Sequence, residues 1–433
     1  MRRLLHAGGI KWWRFIVKRQ RKRENYAGCL ETLEKILKME PRDAGALVQA
    51  GYCLRKLNRT EEALALFQRA LEISPNYGDA HANLSLAYRD LGRNQEAIDS
   101  LNRAVRIQPS LAKNQFWLYM LGLMRCSTNE WEQALVAFTE LTKLNSQYGD
   151  AWHGVGSANF NLDRFSEAVT AYEYAAKLNP KSADVQCELG ASYLELGRTK
   201  EGLEHVRRSI ELDPNRPATH YRLSQAYCGL QDWQNALAAN VRALELAPES
   251  ASGHHALSCI YSELGRHEDA VQAAEAAVRT EPDNAEFYTQ LARALSDLGR
   301  LEQAKDAARK AAGLDPQSAY ALGYLGYILL ELHDYNEALA ACNKSRQLNP
   351  NQFEAHLNAG EAYLELGRND EALSAFFAAC KIKPGDANVH FDLGEVYTRT
   401  GQREKALLEC QRLEKLGDPR ASDLAKRIGS VPM

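Results

Sequence analysis

Apolar positions along the chain follow a helical period that restarts every 34 residues. In residues 353–386, FEAHLNAGEAYLELGRNDEALSAFFAACKIKPGD, the positions Leu357, Gly360, Tyr363 and Leu364 fall on one helical face. That spacing predicts an amphipathic helix over the first half of the segment. Gly367 ends it, because glycine enters the left-handed backbone without a Cβ penalty. Ala372, Phe376, Ala379 and Ile382 mark a second apolar face, and Pro384 closes that helix or opens the next. Two such helices carry more apolar surface than they can hide between them, so neighbouring pairs must stack.

Two combs of residues show how far the pattern extends. Pro41, Pro75, Pro109, Pro180, Pro214, Pro248, Pro282, Pro316, Pro350 and Pro384 step by 34, except for one step of 71. Ala63, Ala97, Ala134, Ala168, Gly202, Ala236, Ala270, Ala304, Ala338, Ala372 and Ala406 keep the same period with a single step of 37. The three extra residues lie between Pro109 and Gly122, in SLAKNQ, where one turn between pairs lengthens. In the next turn Ser146 stands where the comb would place proline.

Further positions recur in the same register. A small residue stands in the first helix at Gly51, Ser85, Gly122, Gly156, Gly190, Ser224, Ser258, Ala292, Gly326, Gly360 and Gly394. An aromatic follows three residues later at Tyr88, Tyr193, Tyr227, Tyr261, Tyr363 and Tyr397. The turn slot holds Gly, Asn or Asp in most units, residues that tolerate a left-handed backbone, while Gln231 and His333 fit it less well. On these residues the chain resembles the tetratricopeptide repeat family over nearly its whole length. The resemblance implies an all-α fold, a right-handed superhelical α-solenoid of helix–turn–helix units. Residues 1–43 then form a basic N-terminal segment with a degenerate first repeat, and 44–420 form eleven repeats in one continuous solenoid. Residues 421–433 form a capping helix and tail, in which Leu424, Ala425 and Ile428 shield the last apolar face.

Charge changes this picture at one end only. The chain has 433 residues and a formal net charge of -3, but residues 1–23 carry nine Lys/Arg and no acid. Nine scattered cysteines without a CxxC pair point to reduced thiols and a cytoplasmic compartment. No apolar run approaches the roughly 18 residues of a membrane-spanning helix.

Candidate chemistry is sparse. The sequence holds no P-loop, GxSxG, HExxH or glycine-rich phosphate loop, so no catalytic residue, metal or cofactor is expected. His81, His220, His254, His356 and His390 occupy one equivalent slot in the first helix, and a recurring slot is a packing slot. Cys187, Cys228, Cys259 and His255 lie in different units, and zinc needs four ligands at about 2.0–2.3 Å whereas packed helices lie roughly 8–10 Å apart. Ordinary thiols are the better reading.

The family resemblance implies that first helices line a concave groove through unit positions 2, 5, 6, 9, 12 and 13. Tyr119, Leu123, His153, Tyr221, Gln225, His255, Tyr324 and Tyr327 take such positions, with Cys187, Cys228 and Cys259 beside them. Aromatic and amphipathic side chains suit peptide binding, because they bury area while keeping a polar tip. The Lys/Asn/Arg carboxylate clamp of chaperone-binding arrays is missing, and the asparagine ladder of O-GlcNAc transferase is reduced to Asn83 and Asn358.

Residues 10–23, IKWWRFIVKRQRKR, combine aromatics with cations. Trp12, Trp13, Arg14, Lys18, Arg19, Arg21, Lys22 and Arg23 suit a membrane surface or another polyanion. Alternatively, Trp13, Ile16 and Val17 pack as the first helix of the array with the cations in water. An organelle presequence is a third reading, and nucleic acid is the less favoured partner. The favoured function is a non-catalytic scaffold that binds a peptide or helical segment of a protein partner in the groove. A membrane-associated adaptor anchored by the N-terminus, or a substrate-positioning subunit of an enzyme complex, are the alternatives.

Overall fold

A computed structural model describes residues 2–430, with side chains described from 11 to 429. All regular structure among the described residues is helical, and the chain divides after Pro214 into two compact units. In the first unit the helices pair as α1 (Arg2–Lys22) with α2 (Tyr26–Met39), α3 (Ala44–Lys56) with α4 (Thr60–Ile73), and α5 (Gly78–Asp90) with α6 (Asn94–Ile107). The pairs α7 (Gln115–Ser127) with α8 (Trp131–Leu144), α9 (Gly149–Asn161) with α10 (Phe165–Leu178), and α11 (Ala183–Glu195) with α12 (Thr199–Leu212) complete it.

The second unit begins with α13 (Pro217–Gly229) and α14 (Trp233–Leu246), then α15 (Ala251–Glu263) and α16 (His267–Thr280), α17 (Ala285–Asp297) and α18 (Leu301–Leu314). It continues with α19 (Ala319–Glu331) and α20 (Tyr335–Leu348), α21 (Phe353–Glu365) and α22 (Asn369–Ile382), α23 (Ala387–Arg399) and α24 (Arg403–Leu416), and ends on α25 (Arg420–Ser430). The lengthened turn in SLAKNQ is a 3₁₀ turn, Pro109–Lys113, after which Asn114 caps α7 through the Phe116 and Trp117 amides.

The turn inside each pair shows how strictly the register acts. Asn58, Gly92, Asn129, Asp163, Gly197, Gln231, Gly265, Gly299, His333, Gly367 and Gly401 all have positive φ, between 56° and 79°. Gln231 and His333 therefore hold the left-handed backbone despite their side chains. Beyond five of these turns an arginine pairs with the acid three residues on: Arg59–Glu62, Arg93–Glu96, Arg198–Glu201, Arg266–Asp269 and Arg368–Glu371. In four of them the guanidinium also lies 4.4–4.7 Å from the ring centroid of the recurring tyrosine, Tyr88, Tyr193, Tyr261 or Tyr363. These pairs are exposed and screened, so they orient the turn more than they stabilise it.

Packing explains the small-residue slot. A Cβ at Gly122 would lie 2.5 Å from the Phe138 ring, and one at Gly154 in the next pair 2.7 Å from the same ring. Phe138 is fully buried between them. Gly51 and Phe67 repeat that fit, as do Gly156 and Tyr172.

The recurring histidine links one pair to the next. Nε2 of His81, His254, His356 and His390 lies 2.8–2.9 Å from the carbonyl oxygen of Pro75, Pro248, Pro350 and Pro384 respectively. Where Ser146 replaces proline, the indole N–H of Trp152 donates to the Ser146 carbonyl at 2.9 Å. At the far end Leu424 and Ile428 of α25 are buried as expected, but Ala421, not Ala425, is the third buried residue. A residue three positions before Leu424 lies on its face of a helix, whereas its immediate neighbour points about 100° away.

Candidate functional site

First helices touch the first helices of adjacent pairs: α3 with α5, α7 with α9, and α9 with α11 in the first unit. In the second unit α15, α17, α19, α21 and α23 touch in succession. Among the described residues no two second helices pack to this extent, so within each unit the first helices form the inner side of the stack.

In the first unit the inner positions are largely engaged with one another. The Tyr119 ring lies 6.0 Å from Phe138 and 5.7 Å from Tyr148. His153 Nε2 lies 2.9 Å from a Glu188 oxygen, which also accepts from the Ser157 hydroxyl at 3.2 Å. Tyr172 donates to that hydroxyl at 3.1 Å. Burial pushes the Glu188 carboxyl up, yet its bonds to His153, Tyr172 and Ser157 outweigh burial and hold it below the usual range. His153 thus serves a polar network between α9 and α11. Leu123 is 40% exposed, and Phe116 on the same helix is 50% exposed.

In the second unit the inner positions are half-buried as well. Gln225 on α13 accepts from Arg222 at 2.8 Å, and burial raises the Tyr221 phenol above its ordinary pKa. His255 on α15 sits 5.1 Å from the Phe287 ring and 4.0 Å from the Cys259 sulfur. Burial lowers the His255 pKa and pushes the Cys259 thiol up to about 11, so both groups are neutral near pH 7. Among the described residues no three His, Cys, Asp or Glu side chains converge as metal ligands would.

On α19 three tyrosines follow one another at helical spacing. Tyr324 lies 6.5 Å from Tyr320 and 5.6 Å from Tyr327 between ring centroids. Both Tyr324 and Tyr327 interact with the Ser296 hydroxyl of α17. Burial raises both phenols, while Tyr320 remains 56% exposed.

A row of acids continues from Tyr327: Glu331 on α19, Glu361 and Glu365 on α21, and Asp392 and Glu395 on α23. Burial, then the charges of Glu331 and Glu365, push the Glu361 carboxyl up to about 7. Burial, then Glu361 and Glu395, push Asp392 up to about 8. One Asp392 oxygen is buried without a hydrogen-bond partner. Arg399 answers part of this charge, reaching Glu365 at 3.2 Å and Glu395 at 3.3 Å.

Two exposed aromatics, Phe116 and Tyr320, and the acid row are absent from the residues singled out by sequence. Phe116 and Tyr320 both hold unit position 2, so the register contained the signal. The five acids likewise hold unit positions 6, 9 or 13, so register contained that signal too, and stacking of three first helices brings them into one row.

Comparison with known proteins agrees with this architecture. The family model described as cilia and flagella-associated protein 70 C-terminal domain matches residues 28–257. Tetratricopeptide repeat models match 262–324 and 360–401, and the model of anaphase-promoting complex subunit 3 matches 306–379. No curated protein sequence matches the chain. Among solved structures, the crystal structure of the APC/C hetero-tetramer Cut9–Hcn1 is similar at 14% identity and a TM-score of 0.53, covering 97% of this chain and 96% of that one. The crystal structure of YrrB, a TPR protein with an unusual peptide-binding site, is 23% identical with a TM-score of 0.41 over 44% of this chain and 96% of its own.

Proposed function

The chain belongs to the tetratricopeptide repeat family, in the group of the cilia and flagella-associated protein 70 C-terminal domain, and from that premise we propose a non-catalytic interaction scaffold. Its ligand is a segment of a protein partner held on the inner face of the second unit. The observation that carries this reading is the tyrosine series Tyr320, Tyr324 and Tyr327, half-buried at its base and exposed at its outer end. Such rings supply contact area at low conformational cost and keep a hydroxyl for polar contacts, which is the make-up of an interface anchor.

The neighbouring acids define the segment further. Glu331, Glu361 and Glu365 lie beyond Tyr327, so an apolar residue against the tyrosines followed by Lys or Arg matches both parts of the face. Tyr221, Gln225 and His255 extend the same inner side toward the start of the unit, and Tyr119, Leu123 and His153 hold equivalent positions in the first unit. The name of the matching domain is a reason to include ciliary and flagellar proteins in the partner search.

The test begins with affinity purification and ends with a purified segment. A peptide from the recovered partner should bind the full chain directly. Replacing Tyr320 and Tyr324 by alanine should weaken that binding about thirtyfold or more, the loss expected of hot-spot residues, with helicity unchanged. Equal affinity in the double variant would sink the assignment to this face.

A further inference from the structure

The structure divides α1 into two sides with different fates. At about 100° per residue, Ile16, Gln20, Trp13, Val17, Arg21 and Arg14 occupy one half of the circumference of residues 11–22. That half is committed to the protein. Val17 is 2% exposed and Trp13 packs on the same core. Gln20 accepts from the Thr32 hydroxyl at 3.1 Å, and Arg14 bonds Glu40 at 3.2 Å and Asp43 at 2.7 Å. Arg21 lies 5.1 Å from the Tyr52 ring centroid.

The other six residues, Lys11, Trp12, Phe15, Lys18, Arg19 and Lys22, fall in an arc of about 120°. Trp12 is 60% exposed and Phe15 61%, and neither belongs to a core cluster. Lys11, Lys18, Arg19 and Lys22 are exposed and have no carboxylate partner among the described residues. Phe15 and Trp12 lie side by side with half-buried Ile16 at the seam, and the three lysines form one flank.

We infer that this outer face of α1 docks on an anionic lipid surface. Trp12 and Phe15 enter the headgroup boundary, where amphipathic aromatic rings reside, while the lysines and Arg19 meet lipid phosphates and carboxylates. The helix lies in the plane of the surface, because its other half is fixed to α2. No helix of the described residues is long and apolar enough to cross a membrane, so the contact is peripheral. A duplex nucleic acid would meet the cations with its phosphates but leave two large apolar side chains in water, and single-stranded RNA, whose bases can stack on such rings, is separated from lipid by the test.

The experiment uses the full chain and phosphatidylcholine vesicles with or without phosphatidylserine, read by co-sedimentation. The expected result is binding that needs phosphatidylserine and weakens with salt. Trp12→Ser with Phe15→Ser should lower the partition coefficient at least about tenfold, and Lys11→Glu, Lys18→Glu and Lys22→Glu together by on the order of a hundredfold. None of these residues touches the core, and unchanged circular dichroism verifies that the variants fold. Failure to bind anionic vesicles would overturn the inference, as would full binding by the variant that lacks both aromatics. Two other results also overturn it: retention of single-stranded RNA in preference to vesicles, and self-association of the wild type that these substitutions abolish.

Discussion

Replacing Glu361 by glutamine tests the electrostatics of the inner face directly. The carboxyl titrates at about 7 in the folded chain, against an ordinary value of 4.5. Burial is the main cause, and the like charges of Glu331 and Glu365 add to it. A raised carboxyl favours the fold while protonated: its contribution is fully present below about 4.5 and is lost as pH rises through about 7. At 1.36 kcal/mol per pKa unit, the ionised group costs the fold about 3 kcal/mol above pH 8.

Glutamine keeps the shape and cannot ionise. Glu361→Gln should therefore raise stability by about 2–3 kcal/mol at pH 8.5 and leave it nearly unchanged at pH 4.5. Urea unfolding followed by circular dichroism at both pH values measures the difference. If the two units unfold in separate transitions, only that of the second should move. Glu331→Gln should shift the pH window of Glu361 downward, since it removes one of the like charges. Asp392 is pushed up by burial first and then by the charge of Glu361, so Glu361→Gln should lower the Asp392 window as well. A stabilisation by Glu361→Gln that is the same at both pH values, or a loss of stability at pH 8.5, would refute the argument.

Two further outcomes follow from packing and backbone. Gln231→Gly should stabilise the second unit by about 0.5–1 kcal/mol in urea unfolding, because the left-handed cost of a side chain, about 1–2 kcal/mol, exceeds the extra chain entropy of glycine. Gly122→Ala should destabilise the first unit by about 1–2 kcal/mol, since the Phe138 ring is held from both sides and overpacking outweighs alanine's better helix propensity; its thermal midpoint measures this.

The helix-pair architecture was legible because spacing alone carries it. Even the two poorly fitting turn residues, Gln231 and His333, adopt the backbone that their slot demands. The histidine slot was legible as structural, but its partner was not. The acceptor is a backbone carbonyl six residues back, which leaves no mark on residue type. Individual site residues were less legible. His153 and Tyr119 hold inner positions yet spend their side chains on Glu188, Phe138 and Tyr148. Register tells which way a residue leaves its helix, and it says nothing of what the next helix offers. The inward side of α1 was legible in the same way, since Trp13 and Val17 pack as their register places them, and the five acids hold inner positions too; what register leaves open is how deeply each acid is buried and which charges face it.

The bond between histidine and proline carbonyl bears on how such a chain can lengthen. Donor and acceptor are six residues apart, well inside one period, so duplicating 34 residues copies both halves of the joint together. Ion pairs such as Arg55–Asp90 and Arg399–Glu365 span about one period, and a duplication would break and re-form them with new neighbours. An added module would arrive with its connection to the preceding one already complete, while the surface charges drift freely around it. Array length and surface chemistry can then change independently, and a partner face can be rebuilt without disturbing the joints that hold the modules together.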